Sequence, residues 1–374
     1  MDRTEALQTW VTKIAEAGLS GDQQRLEVVL ITAIRSLKRQ SPETSKELGF
    51  VLSQYTSNAG SLRWKSSGPP PADVDEGLSL VRFESVEEAV KPILPEAVSQ
   101  KIEQFLCERR QPEKLLFEGF NPPASALLIG APGTGKTILA RWMARELQLP
   151  LMTLDLAASI SSFLGKTGFN LRRVLDYARG TPCVLLLDEF DAVAKRRDDV
   201  TDLGELKRVV NVLLKELEDW PLRSVLVAAT NHPDLLDPAI RRRFHLVLEL
   251  PLPGRDERVA IMSRAAGRFR DDLPDYLLAS LGEALENVSG SDLESLTRAA
   301  VRVHLSSSSE LSRALLCEIR DRFANHLGGK ATGALVRAFK AASREEVTVR
   351  ELARLFDKST STIHHHLKKE PADG

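Results

Sequence analysis

The chain has 374 residues, of which 43% are hydrophobic, and a formal net charge of −1 at pH 7. This length predicts roughly two to four domains with packed cores. The near-neutral net charge gives no overall indication of nucleic-acid binding, which is typical of strongly basic proteins. The three cysteines match no zinc or redox motif, no apolar run is long enough to span a membrane, and the first residues do not resemble a signal peptide, so we expect a soluble cytoplasmic protein.

Residues 1–56 are predicted to form an N-terminal helical region. One amphipathic helix is indicated there, because apolar residues recur at helical spacing at Leu26, Val29, Leu30, Ala33, Ile34 and Leu37. This face packs either within a small N-terminal domain or against a partner or substrate. Residues 57–77 include the run Ser66-Ser67-Gly68-Pro69-Pro70-Pro71, which buries little and stiffens toward polyproline II, and they are predicted to be a linker.

Residues 78–118 are predicted to lead into the next domain. Leu78, Leu80 and Phe83 alternate as in a strand, and residues 97–117 return to helical spacing. The short apolar run at 126–129 then predicts a buried parallel strand.

Residues 130–137 fit the phosphate-binding pattern G-x-x-x-x-G-K-S/T. The glycines allow backbone conformations that bring successive N–H groups close to phosphate. Lys136 is predicted to reach the β- and γ-phosphates, and Thr137 to supply a hydroxyl to Mg²⁺. A helix that begins near Lys136 adds the positive end of its dipole. The candidate nucleotide-binding residues of this loop are Gly130, Ala131, Pro132, Gly133, Thr134, Gly135, Lys136, Thr137 and Ile138.

A second apolar run, residues 183–187, ends at Asp188 and Glu189. Open α/β sheets bind ligands at the carboxyl ends of their strands, which is where both carboxylates are predicted to lie. Asp188 is suited to hold the metal through water, and Glu189 to polarise the attacking water as general base. We interpret Asp191 as a helix cap or a solvated carboxylate.

A third buried strand is predicted at 224–229, and it ends in Thr230-Asn231-His232. The amide of Asn231 is a candidate sensor that orients the water and contacts the γ-phosphate, although an asparagine after a strand is also a common turn residue. His232 is interpreted as a surface loop residue. The alternation of these strands with helical segments, including a long helix at 202–218, predicts an α/β fold with a parallel P-loop NTPase sheet.

The C-terminal region, residues 309–374, contains a segment at 347–369 that resembles a helix-turn-helix. Leu352, Ala353 and Leu355 would pack against Ile363 and Leu367, and residues 360–366 would face a DNA major groove. Asp357 stands where the turn often has glycine, and Lys358 where an apolar residue is usual. A plain helical hairpin that docks on another part of the protein therefore stays open.

With these motifs in this order, residues 78–305 resemble the AAA+ ATPases, specifically the AAA clade that remodels proteins. The resemblance implies ATP and Mg²⁺ as cofactors, an α/β ATPase domain at 119–251 and a helical lid domain at 252–308. Gly290 and Ser291 stand at the start of a lid helix that approaches the adenine and ribose in relatives, although Ser291 also suits a helix N-cap.

Residues 237–244 look like the arginine-finger segment of this family, in which arginines of one subunit reach the γ-phosphate bound by its neighbour. Arg242 and Arg243 are the candidates here. Many relatives carry a further arginine at the position of Leu246, so the division of labour among residues 241–243 stays open. A basic stretch that opens a strand is the alternative.

Phe163 and Leu164 occupy the place of the family's aromatic-hydrophobic-glycine pore loop. In relatives this loop lines the central channel of a hexamer and grips an extended polypeptide. Apolar side chains suit that role because they hold any sequence by contact. The alternative is that Phe163 is a core residue.

Two hypotheses of function follow from these motifs. The first is an ATP-hydrolysing remodeller or translocase of proteins that acts as a homo-hexameric ring. The whole chain also resembles bacterial stand-alone AAA proteins that pair with a subtilisin-like serine protease in toxin-antitoxin or phage-defence modules; because the sequence has no G-x-S-x-G or H-E-x-x-H motif, proteolysis would come from the partner. The second is an ATP-switched DNA-binding regulator that acts through the C-terminal helices.

Overall fold

The computed structural model of the chain describes residues 3–20, 23–38, 40–57, 81–156, 167–191, 220–236, 238–307, 309–323, 329–342, 348–356 and 358–368. Four predictions lie outside them: the linker beyond residue 57, Leu78 and Leu80 of the lead-in strand, the pore-loop residues Phe163 and Leu164, and the helix at 202–218. The chain divides into two compact units. The larger comprises residues 1–92, 96–130 and 136–250, and the smaller comprises residues 93–95, 131–135 and 251–374.

The larger unit is built on a sheet of six described strands in the order β1-β3-β4-β5-β2-β6. β1 runs antiparallel to β3, and every other neighbouring pair is parallel. The central strands consist almost entirely of buried apolar residues because helices cover a parallel sheet on both faces. The predicted α/β class is confirmed. The strands are β1 Arg82–Glu84, β2 Ser125–Ile129, β3 Leu151–Asp155, β4 Val184–Asp188, β5 Val225–Thr230 and β6 Leu246–Glu249.

The described helices of this unit include three that precede the sheet in sequence. The second of them buries Ala33, Ile34 and Leu37, which belong to the predicted apolar face. Ile34 packs in one cluster with Leu52, Leu116 and Leu222, so the N-terminal helices share a core with the ATPase region. The helices are α1 Arg3–Leu19, α2 Gln23–Leu37, α3 Pro42–Ser57, α4 Glu96–Arg110, α5 Pro112–Glu118, α6 Lys136–Glu146, α7 Thr167–Gly180 and α8 Pro238–Arg241.

The smaller unit is helical and has one apolar core. Leu281 and Leu296 of the predicted lid lie in the same cluster as Leu352 and Ile363 from the C-terminal segment. Its helices are α9 Arg255–Ala266, α10 Asp275–Ala284, α11 Gly290–Ser307, α12 Leu311–Phe323, α13 Gly329–Ala342, α14 Val349–Leu355 and α15 Thr360–Lys368. None of the helices in the described part of the chain combines the length and the apolarity that crossing a bilayer requires.

Candidate active site

The glycine-rich loop follows β2 and ends where α6 begins at Lys136. Gly133 and Gly135 have φ angles of 77° and 96°, in the left-handed region that residues with a side chain rarely adopt. These two glycines let the backbone turn between strand and helix. The first residue of the loop, Gly130, donates its N–H to the carbonyl of Thr230 at 3.2 Å, which ties the loop to the end of β5.

Lys136 is buried, and its ammonium donates to the carbonyl of Gly130 at 2.7 Å. Burial lowers the pKa of Lys136, while the negative charges of Asp188 and Asp191 oppose that shift. A cation desolvated at the mouth of an anion-binding loop is stabilised further by an anionic ligand. This arrangement suits the phosphate-binding role predicted for Lys136.

Thr137 and Asp188 bring two oxygen atoms together at the carboxyl end of β4. The Thr137 hydroxyl donates to Asp188 Oδ2 at 3.5 Å, and the other oxygen, Oδ1, accepts the N–H of Glu189 at 2.9 Å. Both side chains are half-buried. A hydroxyl and a carboxylate are oxygen ligands of the kind that Mg²⁺ prefers, so the residues present fit this ion.

Glu189 is exposed and has a φ of 52°, although it is not glycine. A left-handed backbone at such a residue costs of order 1 kcal/mol and persists only where the surroundings enforce it. Here Phe190 enforces it: this next side chain is buried, and its N–H donates to the carbonyl of Ala229 at 2.9 Å. The turn leaves Glu189 exposed at the position that follows Asp188.

Asp191 is buried, with 4% of its surface exposed, and the interpretation of a solvated carboxylate is wrong. Its Oδ1 accepts the Thr230 hydroxyl at 3.2 Å and the Asn231 N–H at 3.4 Å. Thr230 Oγ1 in turn accepts the N–H of His232 at 3.0 Å. Asp191 therefore joins the carboxyl ends of β4 and β5 and holds the backbone of Asn231. A carboxylate three residues past Asp188, facing a strand that ends in threonine and asparagine, was the available sequence signal.

Gly133 lies against the start of α11 within the smaller unit. Its carbonyl accepts the N–H of Ser291 at 3.1 Å, and a Cβ on Gly133 would come within 2.3 Å of Ser291 Oγ and 2.6 Å of Ser289 Oγ. Gly290 is similarly close, since a Cβ there would lie 3.3 Å from the same carbonyl. The capping role considered for Ser291 belongs instead to Ser289, which precedes the helix and accepts the N–H of Asp292.

The three arginines of residues 241–243 differ in their surroundings. Arg241 ends α8 and donates to the carbonyl of Pro233 at 2.6 Å, so its guanidinium is engaged within its own chain. Arg242 and Arg243 are exposed. Phe244 then anchors the segment, because it is buried edge-on against Phe190 at a ring distance of 6.1 Å. Arg242 and Arg243 are therefore exposed on a segment that the buried Phe244 holds in place.

Comparison with known proteins identifies the region around these residues. Residues 126–252 match the family model described as ATPase family associated with various cellular activities (AAA). The structure is similar to the crystal structure of the FIGL-1 AAA domain, with a TM-score of 0.52 and 19% identity over 77% of this chain and 90% of that one, a likeness that shows the fold alone.

Three curated relatives illustrate the sequence similarity. The ATP-dependent zinc metalloprotease FtsH 3 of Sphaerobacter thermophilus is 34% identical over 258 residues, which are 67% of this chain and 52% of the relative. An uncharacterized AAA family ATPase, y4kL, of Sinorhizobium fredii is 38% identical over 52% of this chain and 58% of its own length. The proteasome-activating nucleotidase of Aeropyrum pernix is 34% identical over 58% of this chain and 56% of its length.

The chain thus spans little more than half the length of these relatives. The family match nevertheless covers the catalytic edge of the sheet. It begins inside β2 and ends just past β6, so it includes the strands that carry the loop, the two carboxylates and Asn231. Residues 126–252 therefore form a domain of the AAA family of ATPases.

Proposed function

We propose that this AAA ATPase hydrolyses ATP at sites shared between protomers of a ring, which we take to be a homo-hexamer, and uses the energy to remodel or translocate a protein substrate. The observation that carries the proposal is the exposure of two adjacent arginines. Arg241 is half-buried and donates to the Pro233 carbonyl, and Arg242 and Arg243 are exposed on a segment that Phe244 anchors. Exposed guanidinium groups can complete the site of a neighbouring protomer.

Within one protomer the residues divide the work as follows. The backbone of residues 130–135 cradles the phosphates, and Lys136 exchanges the Gly130 carbonyl for phosphate oxygens. Thr137 and Asp188 would hold Mg²⁺, which neutralises charge on the phosphates. Glu189 accepts a proton from the attacking water, and Asn231 orients that water. In the lid, Gly290 and Ser291 take part in nucleotide contact beside Gly133.

The protein substrate is assigned on the resemblance to remodelling relatives. Phe163 and Leu164, outside the described residues, would grip it in the central channel by apolar contact. Two of the relatives are named for proteolysis or for proteasome activation. On the resemblance to bacterial stand-alone AAA proteins, we propose a subtilisin-like serine protease as a partner, in a toxin-antitoxin or phage-defence module.

The shared site is tested by mixing two inactive variants in the full-length protein. Arg243→Ala leaves the phosphate loop intact and should hydrolyse ATP about 10³ to 10⁵ times more slowly, and Lys136→Ala should lose nucleotide affinity. Mixed in equal amounts, they should recover part of the turnover, because each supplies what the other lacks. Arg242→Ala serves as the matched variant that assigns the finger.

Two outcomes would contradict the proposal. One is a mixture that stays as inactive as its components while wild-type protein is active. The other is a specific activity that does not change on dilution, in protein that sedimentation shows to be monomeric.

The second candidate function, an ATP-switched DNA-binding regulator, draws support from the C-terminal helices. α14 begins with a capping box between Thr348 and Glu351, and α15 buries Ile363 while exposing His364, His365 and Lys368. Deleting the segment is a poor test because it removes Leu352 and Ile363 from the core. Lys368→Glu keeps that core. It should weaken DNA binding and flatten its salt dependence if this function exists, and an unchanged salt slope would exclude the segment as the DNA contact.

A further inference from the structure

The turn that precedes β5 is buried and lies at the amino ends of the strands. Leu222 and Arg223 are 6% and 5% exposed, and Ser224 is completely buried. Ser224 Oγ lies 3.2 Å from the carbonyls of Ala178 and Thr181, and Arg223 donates to the carbonyl of Arg179 at 2.6 Å. The turn is thereby held to the segment that connects α7 to β4.

Glu27 of α2 contacts the same turn from the N-terminal helices. Its carboxylate is 5% exposed, and Oε1 accepts the N–H of Leu222 at 2.6 Å across 195 residues of sequence. Burial raises the pKa of Glu27, whereas the Leu222 N–H and the positive charges of Arg223 and Arg109 oppose that shift. A carboxylate in this position is a specific link and not a solvated surface group.

Arg109 of α4 completes the contact. Its guanidinium donates to the carbonyls of Leu222 and Ser224 at 2.5 and 3.3 Å. Burial lowers the pKa of Arg109 to about 10, and the negative charge of Glu27 opposes this shift. The N–H of Leu222 thus donates to the negatively charged Glu27, and its carbonyl accepts from the positively charged Arg109. Both its backbone groups are fixed by charge-assisted hydrogen bonds.

β5 connects this turn directly to the catalytic edge. The strand is buried along its whole length and is paired in parallel with β4 and β2. Its far end carries Thr230 and Asn231, which Asp191 holds. The strand is short, and the distance from Ser224 to Asn231 is about 23 Å at 3.3 Å per residue. Because packed strands do not stretch, a shift at its start moves its end.

We propose that Glu27 is a positioning residue for ATP hydrolysis: it fixes the start of β5 through Leu222, so that the N-terminal helices and Asn231 respond to each other. The proposal rests on the proposed hydrolysis at this site. It assigns the N-terminal helices a regulatory contact with the ATPase, so that a partner that lifts α2 would slow turnover. Because Asn231 is expected to contact the γ-phosphate, the coupling concerns ATP and not ADP, and since couplings between binding equilibria are reciprocal, ATP should also change the stability of the contact.

The test compares Glu27→Leu with Glu27→Gln in the full chain. The leucine variant removes the acceptor for Leu222 N–H, and we expect its kcat to fall by roughly fivefold or more, as typical couplings between sites give, with ADP affinity unchanged. The glutamine variant keeps an acceptor oxygen and should retain more of the wild-type kcat. Glu47→Leu, which changes an exposed carboxylate of α3, is the matched control and should behave as wild type.

An unchanged kcat in Glu27→Leu would overturn the positioning role. So would a fall in kcat that is as large in Glu27→Gln as in Glu27→Leu. If Glu27→Leu does not fold, hydrogen exchange of the Leu222 amide in the wild-type chain decides instead. We expect its protection to differ by fivefold or more between the ADP-bound wild type and ATP-bound Glu189→Gln, and equal protection would overturn the proposal. Wild-type protein without turnover would instead refute the hydrolysis on which the inference rests.

Discussion

The two edges of the parallel sheet carry polar groups in opposite ways. At the carboxyl edge, Glu189 is exposed on a left-handed backbone, and the ammonium of Lys136 donates to a backbone carbonyl. At the amino edge, Glu27 and Ser224 are buried and joined to partners distant in sequence. The carboxyl edge keeps the Glu189 carboxylate exposed on a strained backbone, whereas the polar groups of the amino edge hold neighbouring elements together. Substitutions at the carboxyl edge should therefore change mainly activity, whereas those at the amino edge should change stability as well.

The largest effect on activity is expected from Glu189→Gln. Loss of the general base should slow turnover by about 10² to 10⁴-fold, since proton transfer by a positioned side chain contributes that much. ATP affinity should be retained, and the free energy of unfolding should stay within about 0.5 kcal/mol of wild type. Single-turnover hydrolysis and nucleotide titration measure the two quantities. Turnover within a factor of two of wild type would remove Glu189 from the mechanism.

The amino edge should show the largest loss of stability with Arg109→Leu. This change removes the donor to the carbonyls of Leu222 and Ser224 and one of the positive charges that act on buried Glu27, and each buried polar group left unpaired costs about 1 to 3 kcal/mol. Hydrogen exchange of the β5 amides reports the free energy of opening of the larger unit. Arg172→Ala is the control, because its ion pair with Asp176 is exposed and should contribute at most about 1 kcal/mol. Equal losses in both variants would contradict the contrast between the edges.

A smaller effect is expected from Asp191→Asn at the carboxyl edge. Asparagine keeps an oxygen that can accept from Thr230 and Asn231 but loses the negative charge. Charge-assisted hydrogen bonds are about twice as strong as neutral ones, so we expect roughly a tenfold fall in kcat with little change in stability. Steady-state kinetics and thermal unfolding would measure both. A variant that is less stable but keeps its kcat per folded molecule would show that Asp191 supports the fold and not hydrolysis.

Much of the catalytic edge could be predicted from the sequence. The predicted phosphate loop is formed by consecutive residues, so the spacing of its glycines predicts its backbone conformation. Asp188 and Glu189 end an apolar run, so their place at the carboxyl end of a strand follows from periodicity alone. The mostly parallel sheet is implied by three such runs with helical segments between them. These inferences use only neighbours along the chain.

What escaped prediction depends on pairs that are far apart in sequence. Asp191 meets Thr230 across 39 residues, and the fold decided that its carboxylate is buried instead of solvated. The apolar face of α2 was visible in the sequence, but its attachment to the ATPase core through Leu222 was not. Which arginines of residues 241–243 are exposed was equally hidden, because Arg241 is half-buried and donates to a backbone carbonyl, a contact that has no sequence signature.

The sequence by itself therefore determined the class of fold and the places of the candidate phosphate-binding residues, because local spacing specifies loops, strands and the residues at their ends. Tertiary structure alone decided which polar groups are buried and what each one holds. Those contacts form only when packing brings distant segments together, and the cost of burying an unpaired charge then selects the partners that remain.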